Sequence, residues 1–234
     1  MLLKSYSIVS GLVVAFLVIS CGGGNGSGSG DNSLKLSINY NFDESSGATA
    51  INSVSDAWHG TIFGADRVPG SSGNALRFGD PEDYLEIEIV PNPGMSPPVS
   101  LENNTIAIDA DVYFDNLDIN ETYHFFGSHS TGMGCFRILV RDGNFLLQIY
   151  NYGTGTSFWL DVVESNFPFQ INTWYEISIF YNGDEAVISI DGIENARVSY
   201  IASLKDIYNN LYIGGIGQSS PQSFPGTIDQ FYFN

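Results

Sequence analysis

The chain has 234 residues, with 8 Lys and Arg against 26 Asp and Glu, so its formal net charge is −18. A surface this acidic repels the phosphates of nucleic acids and anionic lipids, which excludes nucleic acid as a partner. Of the two cysteines, Cys135 has no intramolecular partner if Cys21 is modified, and its apolar neighbours predict a buried, inert thiol.

The first 21 residues have the pattern of an export signal. Lys4 precedes an apolar run over residues 8–19, which is shorter than the roughly 20 residues that a membrane-spanning helix needs. The small residue Ser20 stands before Cys21, and glycines follow. These residues resemble the lipobox of bacterial lipoproteins, which implies cleavage after Ser20 and a diacylglycerol on the sulfur of Cys21. The alternative is an ordinary secretory signal that contains a cysteine.

Residues 1–20 are therefore expected to be a lipoprotein signal peptide. Residues 21–33 follow as the lipidated Cys21 and a Gly/Ser-rich tether, a composition typical of a flexible coil. Residues 34–234 form one domain of ordinary size for an all-β protein. Gly22 stands where many lipoproteins that stay at the inner membrane have Asp, which favours an exported, lipid-anchored protein of the outer membrane or cell surface.

Strand patterns dominate this domain. Residues 105–114 alternate, with Ile108 and Val112 on one face and Asp109, Asp111 and Tyr113 on the other. Turn sequences such as Asp-Gly separate many of the segments. Strands are predicted at residues 34–42, 75–78, 84–89, 105–114, 136–141, 145–150, 157–163, 174–181, 186–191, 211–213 and 227–233. Many short strands with few helical patterns predict an all-β, two-sheet antiparallel sandwich or jelly roll.

Two segments depart from this pattern. The Pro-rich residues 91–98 cannot donate to a strand ladder and are expected at an edge or rim. Residues 201–208 are predicted to hold one short helical turn.

A series of short motifs makes the fold more specific. In chain order they are YNFDESSG at 40–47, NS at 52–53, HGT at 59–61, GSSGNALRF at 70–78, DYL at 83–85, NTWYEISIFY at 172–181, IDG at 190–192, LYIGG at 211–215 and FPGTIDQFY at 224–232. This series resembles the laminin-G-like (LamG) jelly roll of the concanavalin A-like lectin/glucanase superfamily. The resemblance implies adjacent N- and C-terminal strands. Within the motifs themselves, we expect packing roles for Trp174, Leu211, Ile213, Ile228 and Phe231.

The resemblance also implies a structural Ca²⁺ ion near the paired terminal strands. Asp229 stands at the Asp of the closing Gly-x-Ile-Asp segment, and Asp43 lies close to it if these strands pair. Calcium takes six to eight oxygen ligands, so two carboxylates with carbonyls and water are adequate. The alternative is that Asp43 and Asp229 only cap turns.

Catalysis is not expected. Glucanases of this fold carry Glu-x-Asp-x-x-Glu on one strand, whereas this chain has Glu86, Glu88 and then Pro91. A retaining mechanism without the second carboxylate has no proton donor. Zinc, phosphate-loop and Ser-nucleophile motifs are absent from the sequence.

Exposed aromatic residues with nearby carboxylates are typical of sugar-binding surfaces. Tyr150, Tyr152, Trp159 and Asp161 come from one predicted hairpin, in which Trp159 and Asp161 point outward while Phe158 and its alternates face the core. A second possible lining is Asp109, Asp111 and Tyr113; in both cases simple packing or solvation is the alternative.

We therefore expect a membrane-anchored, extracytoplasmic module that binds an extracellular glycan or a matrix or surface protein. The other hypotheses are a glycan-active hydrolase of the same fold and a purely structural envelope module.

Overall fold

Two β-sheets packed face to face carry the strands of this protein. The computed structural model describes residues 36–89, 101, 105–128, 136–152, 157–202, 204, 207, 210–216 and 222–234. The predicted lipidation site Cys21, the predicted tether at 22–33, the Pro-rich segment 91–98 and Cys135 lie outside these residues. Within them, no helix is long and apolar enough to cross a membrane.

The first sheet, called sheet I, contains both terminal strands. In spatial order its strands are β14 (Ile193–Ser199), β13 (Glu185–Ile190), β12 (Trp174–Tyr181), β7 (Ile106–Phe114), β17 (Gly226–Phe233), β5 (Asn74–Phe78) and β4 (Asp66–Pro69), with β1 (Ile38–Tyr40) paired to β17. The antiparallel pairing of β1 with β17 joins Ile38 to Phe233 and confirms that the terminal strands are adjacent.

The second sheet, sheet II, lies against the first. In spatial order its strands are β11 (Ser157–Glu164), β10 (Asn144–Tyr152), β9 (Phe136–Arg141), β8 (Thr122–Gly127), β15 (Leu211–Ile213), β6 (Tyr84–Ile87), β3 (Gly60–Phe63) and β2 (Thr49–Ala50), with β16 (Gln222–Ser223) beside β8. Its pairings are antiparallel except for the short β16–β8 contact.

The predicted all-β sandwich is thereby confirmed. Strands β9, β12 and β15 have the predicted bounds, while the predicted strand at 34–42 is limited to β1 among the described residues. Six short or irregular strands were not predicted: β2, β3, β4, β8, β14 and β16. The helical turn predicted at 201–208 falls largely outside the described residues.

Two hairpins close with the predicted Asp-Gly turns. Asp142 and Gly143 both have positive φ, 52° and 76°, and join β9 to β10. Asp191 and Gly192 do the same between β13 and β14, at 51° and 72°. Positive φ at both central residues gives the turn a twist that matches that of the strands, which fixes the register of each hairpin.

Aromatic side chains from the two sheets meet in the core. Phe126 of sheet II has its ring centroid 4.9 Å from those of both Phe231 and Phe233 of sheet I. Phe136 adds a contact of 5.7 Å with Phe233. All four rings are essentially buried, and such pairs add stabilisation beyond the apolar area that they bury.

A β-bulge in β17 sets which residues join this core. Asp229 pairs with Asp111 and Tyr232 with Asp109, so one extra residue stands in β17 between these pairs. Gln230 adopts φ of 48° at this point. The extra residue turns Phe231 and Phe233 to the same side as Ile228, and all three are fully buried.

We predict that Phe126→Ala lowers the free energy of unfolding by about 3–5 kcal/mol, because it removes a ring that both sheets enclose. Denaturant unfolding followed by fluorescence measures the change. The control is Phe158→Ala, since Phe158 is 45% exposed and its loss is expected to cost about 1 kcal/mol or less. Equal losses in the two variants would contradict the central position of Phe126.

Candidate functional site

The predicted hairpin residues Tyr150, Trp159 and Asp161 come together on the outer face of sheet II. Tyr150 pairs directly with Trp159 across β10 and β11, and Gln148 pairs with Asp161. The rings of Tyr150 and Trp159 are 5.2 Å apart and nearly perpendicular. Trp159 is half-buried and leaves part of its ring open to solvent. We call Arg137, Gln148, Tyr150, Trp159 and Asp161 the Trp159 surface.

Polar contacts fix this surface in place. The guanidinium carbon of Arg137 lies 4.2 Å from the centre of the Trp159 ring, which is a cation–π contact. Arg137 Nε donates to Gln148 Oε1 at 2.7 Å, and Gln148 Nε2 donates to Asp161 Oδ1. Arg141 Nη2 donates to Asp161 Oδ2 at 2.8 Å. Each group therefore orients the next.

The carboxyl group of Asp161 is held in its ionised form by its hydrogen bonds. Burial raises the pKa of its carboxyl group, but the hydrogen bonds from Gln148 and Arg141 outweigh burial, and the pKa lies below its usual value. Burial also lowers the pKa of Arg137. Asp161 is thus an ionised acceptor at neutral pH, and it is poorly suited to donate a proton.

Two other residues of this hairpin differ from the expectation or cannot be placed. Phe158 was expected to face the core, but it is 45% exposed near the start of β11, whereas Val162 is buried as predicted. The side chain of Tyr152 lies outside the described part of the structure. Among the described side chains, the aromatic part of the surface therefore consists of Tyr150 and Trp159.

The second predicted lining, Asp109, Asp111 and Tyr113, lies on the outer face of sheet I. The Asp109 carboxylate accepts a hydrogen bond from Ser178, and that of Asp111 accepts one from Ser71 Oγ. Burial, together with Asp229 nearby, raises the pKa of Asp111, while the Ser71 hydrogen bond lowers it by less. Both carboxylates are therefore already engaged with serine hydroxyls.

Tyr113 instead belongs to an open cleft. Direct pairing across adjacent strands places Arg77 opposite Thr227, Thr227 opposite Tyr113, and Tyr113 opposite Trp174. The rings of Tyr113 and Trp174 are 5.4 Å apart. We call this the Trp174 cleft; it has a volume of about 480 Å³, and its lining includes Val68, Arg77, Tyr113, Asp115, Trp174 and Thr227.

Trp174 was expected to be a packing residue, but it is half-buried on the outer face. Its neighbours Tyr175 and Ile177 alternate into the core. The same alternation directs Trp174 away from the core, so the strand pattern contained the information.

Asp43 and Asp229, the predicted metal ligands, both contact the turn between β4 and β5. Asp43 Oδ1 accepts a hydrogen bond from the Asn74 amide at 3.0 Å. Asp229 Oδ2 accepts from Ser71 Oγ at 3.0 Å and from the Ser72 amide at 3.1 Å. A Cβ atom on Gly73 would lie 1.9 Å from Asp43 Oδ1, so this close approach requires a glycine.

The second oxygen of Asp229 holds the bulge. Asp229 Oδ1 accepts from the backbone amide of Gln230 at 2.7 Å and from its side-chain amide at 3.3 Å. Asp229 is fully buried, so its carboxylate ties the bulge of β17 to the β4–β5 turn.

Glu86 and Glu88, the residues nearest to a glucanase acidic motif, have different surroundings. Glu86 is half-buried, and its Oε1 accepts from Asn210 at 2.8 Å and from the Tyr212 hydroxyl at 3.3 Å. Burial and the charge of Glu86 raise the pKa of Tyr212 to about 12. Glu88 is exposed, as expected for a solvated residue.

The family is decided by a sequence comparison. Residues 92–233, more than half of the chain, match the Laminin_G_3 model of the concanavalin A-like lectin/glucanases superfamily. The chain belongs to this superfamily. No match is found among curated protein sequences.

Solved structures with a similar fold include two that are described as complexes. One is domain 4 of AbnA, an extracellular arabinanase of Geobacillus stearothermophilus, in complex with arabinotriose. It is 18% identical to this chain with a TM-score of 0.61, and the match covers 85% of this chain and 91% of that domain. The binding domain of botulinum neurotoxin DC in complex with SialylT is 12% identical with a TM-score of 0.56, over 84% and 47%.

A third structure belongs to an enzyme. Trypanosoma rangeli sialidase in complex with sialic acid is 16% identical with a TM-score of 0.56, over 84% of this chain and 30% of the sialidase. This chain thus spans less than half of the toxin and sialidase structures. At these identities the likeness concerns the fold, and the fold is shared by catalytic and binding proteins.

A concanavalin A-like domain suggests a bound calcium ion, but the described side chains supply only part of the oxygen ligands that such an ion needs. Among the described residues, no three His, Cys, Asp or Glu side chains are grouped closely enough to hold a metal. Asp229 Oδ1 accepts two hydrogen bonds from Gln230, while Oδ2 accepts one from the Ser72 amide and shares the Ser71 hydroxyl with Asp111. The hydrogen-bonding role fits the geometry better, and calcium at Asp43 and Asp229 stays a prediction for experiment.

We predict that Asp229→Asn lowers the free energy of unfolding by about 1–3 kcal/mol, because an amide NH₂ would face donors and leave one without an acceptor. Thermal and denaturant unfolding in EDTA and in CaCl₂ measure the change, which should be the same in both. Asp43→Asn, at an exposed position, is the control. A loss seen only with CaCl₂, with chelation destabilising the unmodified protein, would instead establish the calcium site.

Proposed function

We propose that this protein is a membrane-anchored, extracytoplasmic carbohydrate-binding module and that the Trp159 surface contacts the sugar. The observation that carries the proposal is the half-buried ring of Trp159, which contacts Tyr150 and Arg137 and has the ionised Asp161 nearby. Ligand sites typically combine an apolar or aromatic contact with a few fixed polar groups, and this surface has both.

The chemistry of a sugar matches this arrangement. The C–H face of a sugar ring packs against an aromatic face, whose quadrupole is negative. The hydroxyl groups around the ring both donate and accept hydrogen bonds. Asp161 supplies an acceptor and Arg137 supplies donors, while the buried Gln148 holds both in position through its hydrogen bonds. Paired strands carry all three residues. Rigid elements of this kind lower the cost of ordering the site on binding.

The solved relatives support the same class of ligand. Two of these structures are complexes with arabinotriose and with SialylT. They support a carbohydrate as the partner of a domain with this fold, and the choice of sugar is left to experiment.

A hydrolase is the alternative that the fold keeps open, and the described residues favour binding over it. A retaining glycosidase needs two carboxyl groups about 5–5.5 Å apart, one of them able to give up a proton. Beside Trp159, Asp161 and Glu164 are both bonded to Arg141, at 2.8 and 3.2 Å. The hydrogen bonds of Asp161 lower the pKa of its carboxyl group, which favours the ionised form over a proton donor.

We predict that Trp159→Ala weakens binding to a glycan-array hit at least tenfold, the loss expected when a central aromatic contact is removed. The full-length protein in detergent is applied to an array that includes arabino- and sialyl-oligosaccharides. Arg197→Ala is the control. Arg197 bridges Glu185 and Glu194, much as Arg141 bridges Asp161 and Glu164, but it lies on β14 of sheet I, away from the Trp159 surface. An array without hits, or a hit that Trp159→Ala leaves unchanged, would refute this site and favour a protein partner or a structural role.

The anchor is proposed separately, from the lipobox around Cys21. Cys21→Ser is expected to abolish incorporation of labelled fatty acid and to move the protein from the membrane fraction to the soluble fraction. Cys135→Ser serves as the control and should leave both unchanged. Labelled lipid that persists in the Cys21 variant would contradict the anchor without affecting the carbohydrate proposal.

A further inference from the structure

The Trp174 cleft lies on the opposite face of the sandwich from the Trp159 surface. It is built from one continuous row of side chains, with Asp66, Arg77, Thr227, Tyr113 and Trp174 contributed by five adjacent strands. At about 4.8 Å per strand, the row from Arg77 to Trp174 spans roughly 14 Å. Thr227 is small and only 4% exposed, so it forms a low floor between two higher walls.

One wall is aromatic and held in position. Tyr113 and Trp174 are each half-buried, and their rings are inclined at 48°. The Tyr113 hydroxyl donates to Asn172 Oδ1 at 3.1 Å. This hydrogen bond holds the Tyr113 ring beside Trp174 and leaves the aromatic faces on the cleft side for a ligand.

The other wall is an ion pair at the surface. Arg77 Nε donates to Asp115 Oδ2 at 2.6 Å, and the two side chains are 48% and 32% exposed. A guanidinium has five N–H donors and a carboxylate has about four acceptor sites. The pair therefore offers donors and acceptors side by side, an arrangement that suits neighbouring hydroxyl groups.

The charges favour a neutral ligand. Asp66 and Asp115 lie beside Arg77 and both raise its pKa, with Asp115 as the main cause. The single cation is thereby compensated, and a carboxylate-bearing or phosphorylated ligand would meet an excess of negative charge. Arg77 in turn disfavours a cationic ligand.

A peptide that adds as an extra strand does not fit this cleft. Strands β5, β17, β7 and β12 are each paired on both sides, so their backbone groups are already used. Recognition must come from side chains above the sheet. Aromatic faces beside a polar ion pair form a surface for a hydroxylated ring rather than for an apolar helix.

We propose that the Trp174 cleft is a second carbohydrate site, specific for neutral sugar residues. The inference rests on the proposed function in one respect, because it assumes that the protein meets glycans. Since the two sites lie on opposite faces of the sandwich, one short oligosaccharide cannot occupy both. The protein is thus bivalent, and two chains of a polysaccharide network can be bridged by one molecule with a gain in avidity.

The test uses four soluble polysaccharides: neutral arabinan, xylan and mixed-linkage β-glucan, and acidic polygalacturonate. Affinity electrophoresis and calorimetry of the full-length protein measure strength and stoichiometry. The variants are Trp159→Ala, Trp174→Ala, the double variant and Val68→Arg. The last of these leaves both tryptophans in place and fills the cleft from the partly exposed edge strand β4. Arg197→Ala is the control, and circular dichroism checks the fold of each variant.

We expect Trp159→Ala to keep residual binding to a neutral polysaccharide that the double variant loses. Trp174→Ala and Val68→Arg should each weaken binding to that polysaccharide by tenfold or more through lost avidity, and polygalacturonate should not bind through this cleft.

The second site would be overturned if Trp159→Ala by itself abolishes binding while Trp174→Ala and Val68→Arg bind as tightly as the unmodified protein. That outcome would leave the proposed function standing. Residual binding that is stronger for polygalacturonate would overturn the neutral-sugar assignment. Absence of binding to all four polysaccharides, together with an array without hits, would overturn both proposals.

Discussion

The contact of Phe126 with Phe231 and Phe233 holds the two sheets together, and the rest of the molecule is arranged around it. The two phenylalanines of sheet I lie on β17, which hydrogen-bonds to β1, β5 and β7. The side chains of β17 that face the core determine which side chains of the neighbouring strands also face it. This follows because side chains alternate with period two and directly paired residues share a face. Burial of two rings therefore fixes the orientation of strands that do not touch them.

The outward-facing residues follow from this burial. With Ile228 directed into the core, Thr227 and Asp229 are directed to the other face of sheet I. Pairing then aligns Thr227 with Arg77 on one side and Tyr113 on the other. A cleft whose members are separated by up to 159 positions in the chain, from Val68 to Thr227, is thus a consequence of core packing. The same applies on sheet II, where Leu147 and Ile149 are buried and Gln148 and Tyr150 are left facing outward.

Sequence patterns predict a strand correctly where one face of the strand is apolar and its alternation is regular. The alternation in β7 and the Asp-Gly turns at 142–143 and 191–192 were recognised because local chemistry decides them. Strand β8 was missed because a bulge between His124 and Phe126 breaks its alternation. Strand β14 was missed because this edge strand has only a weak apolar face, with Ala196 and Val198 partly buried against the core. Arg77 and Thr227 carried no local indication of a site, since only long-range pairing brings them beside Trp174.

The bulge at Gln230 also has a consequence for how this strand can change in evolution. Ile228, Phe231 and Phe233 face the core although the first two are three positions apart, because the bulge accommodates one residue more than a regular strand. Loss of Gln230 would restore strict alternation and keep all three side chains inside. Loss of a neighbour within the regular part of the strand would instead turn phenylalanines toward solvent. Relatives are therefore free to differ by one residue in length at this point, and what such a deletion alters is the environment of Asp229 and not the core.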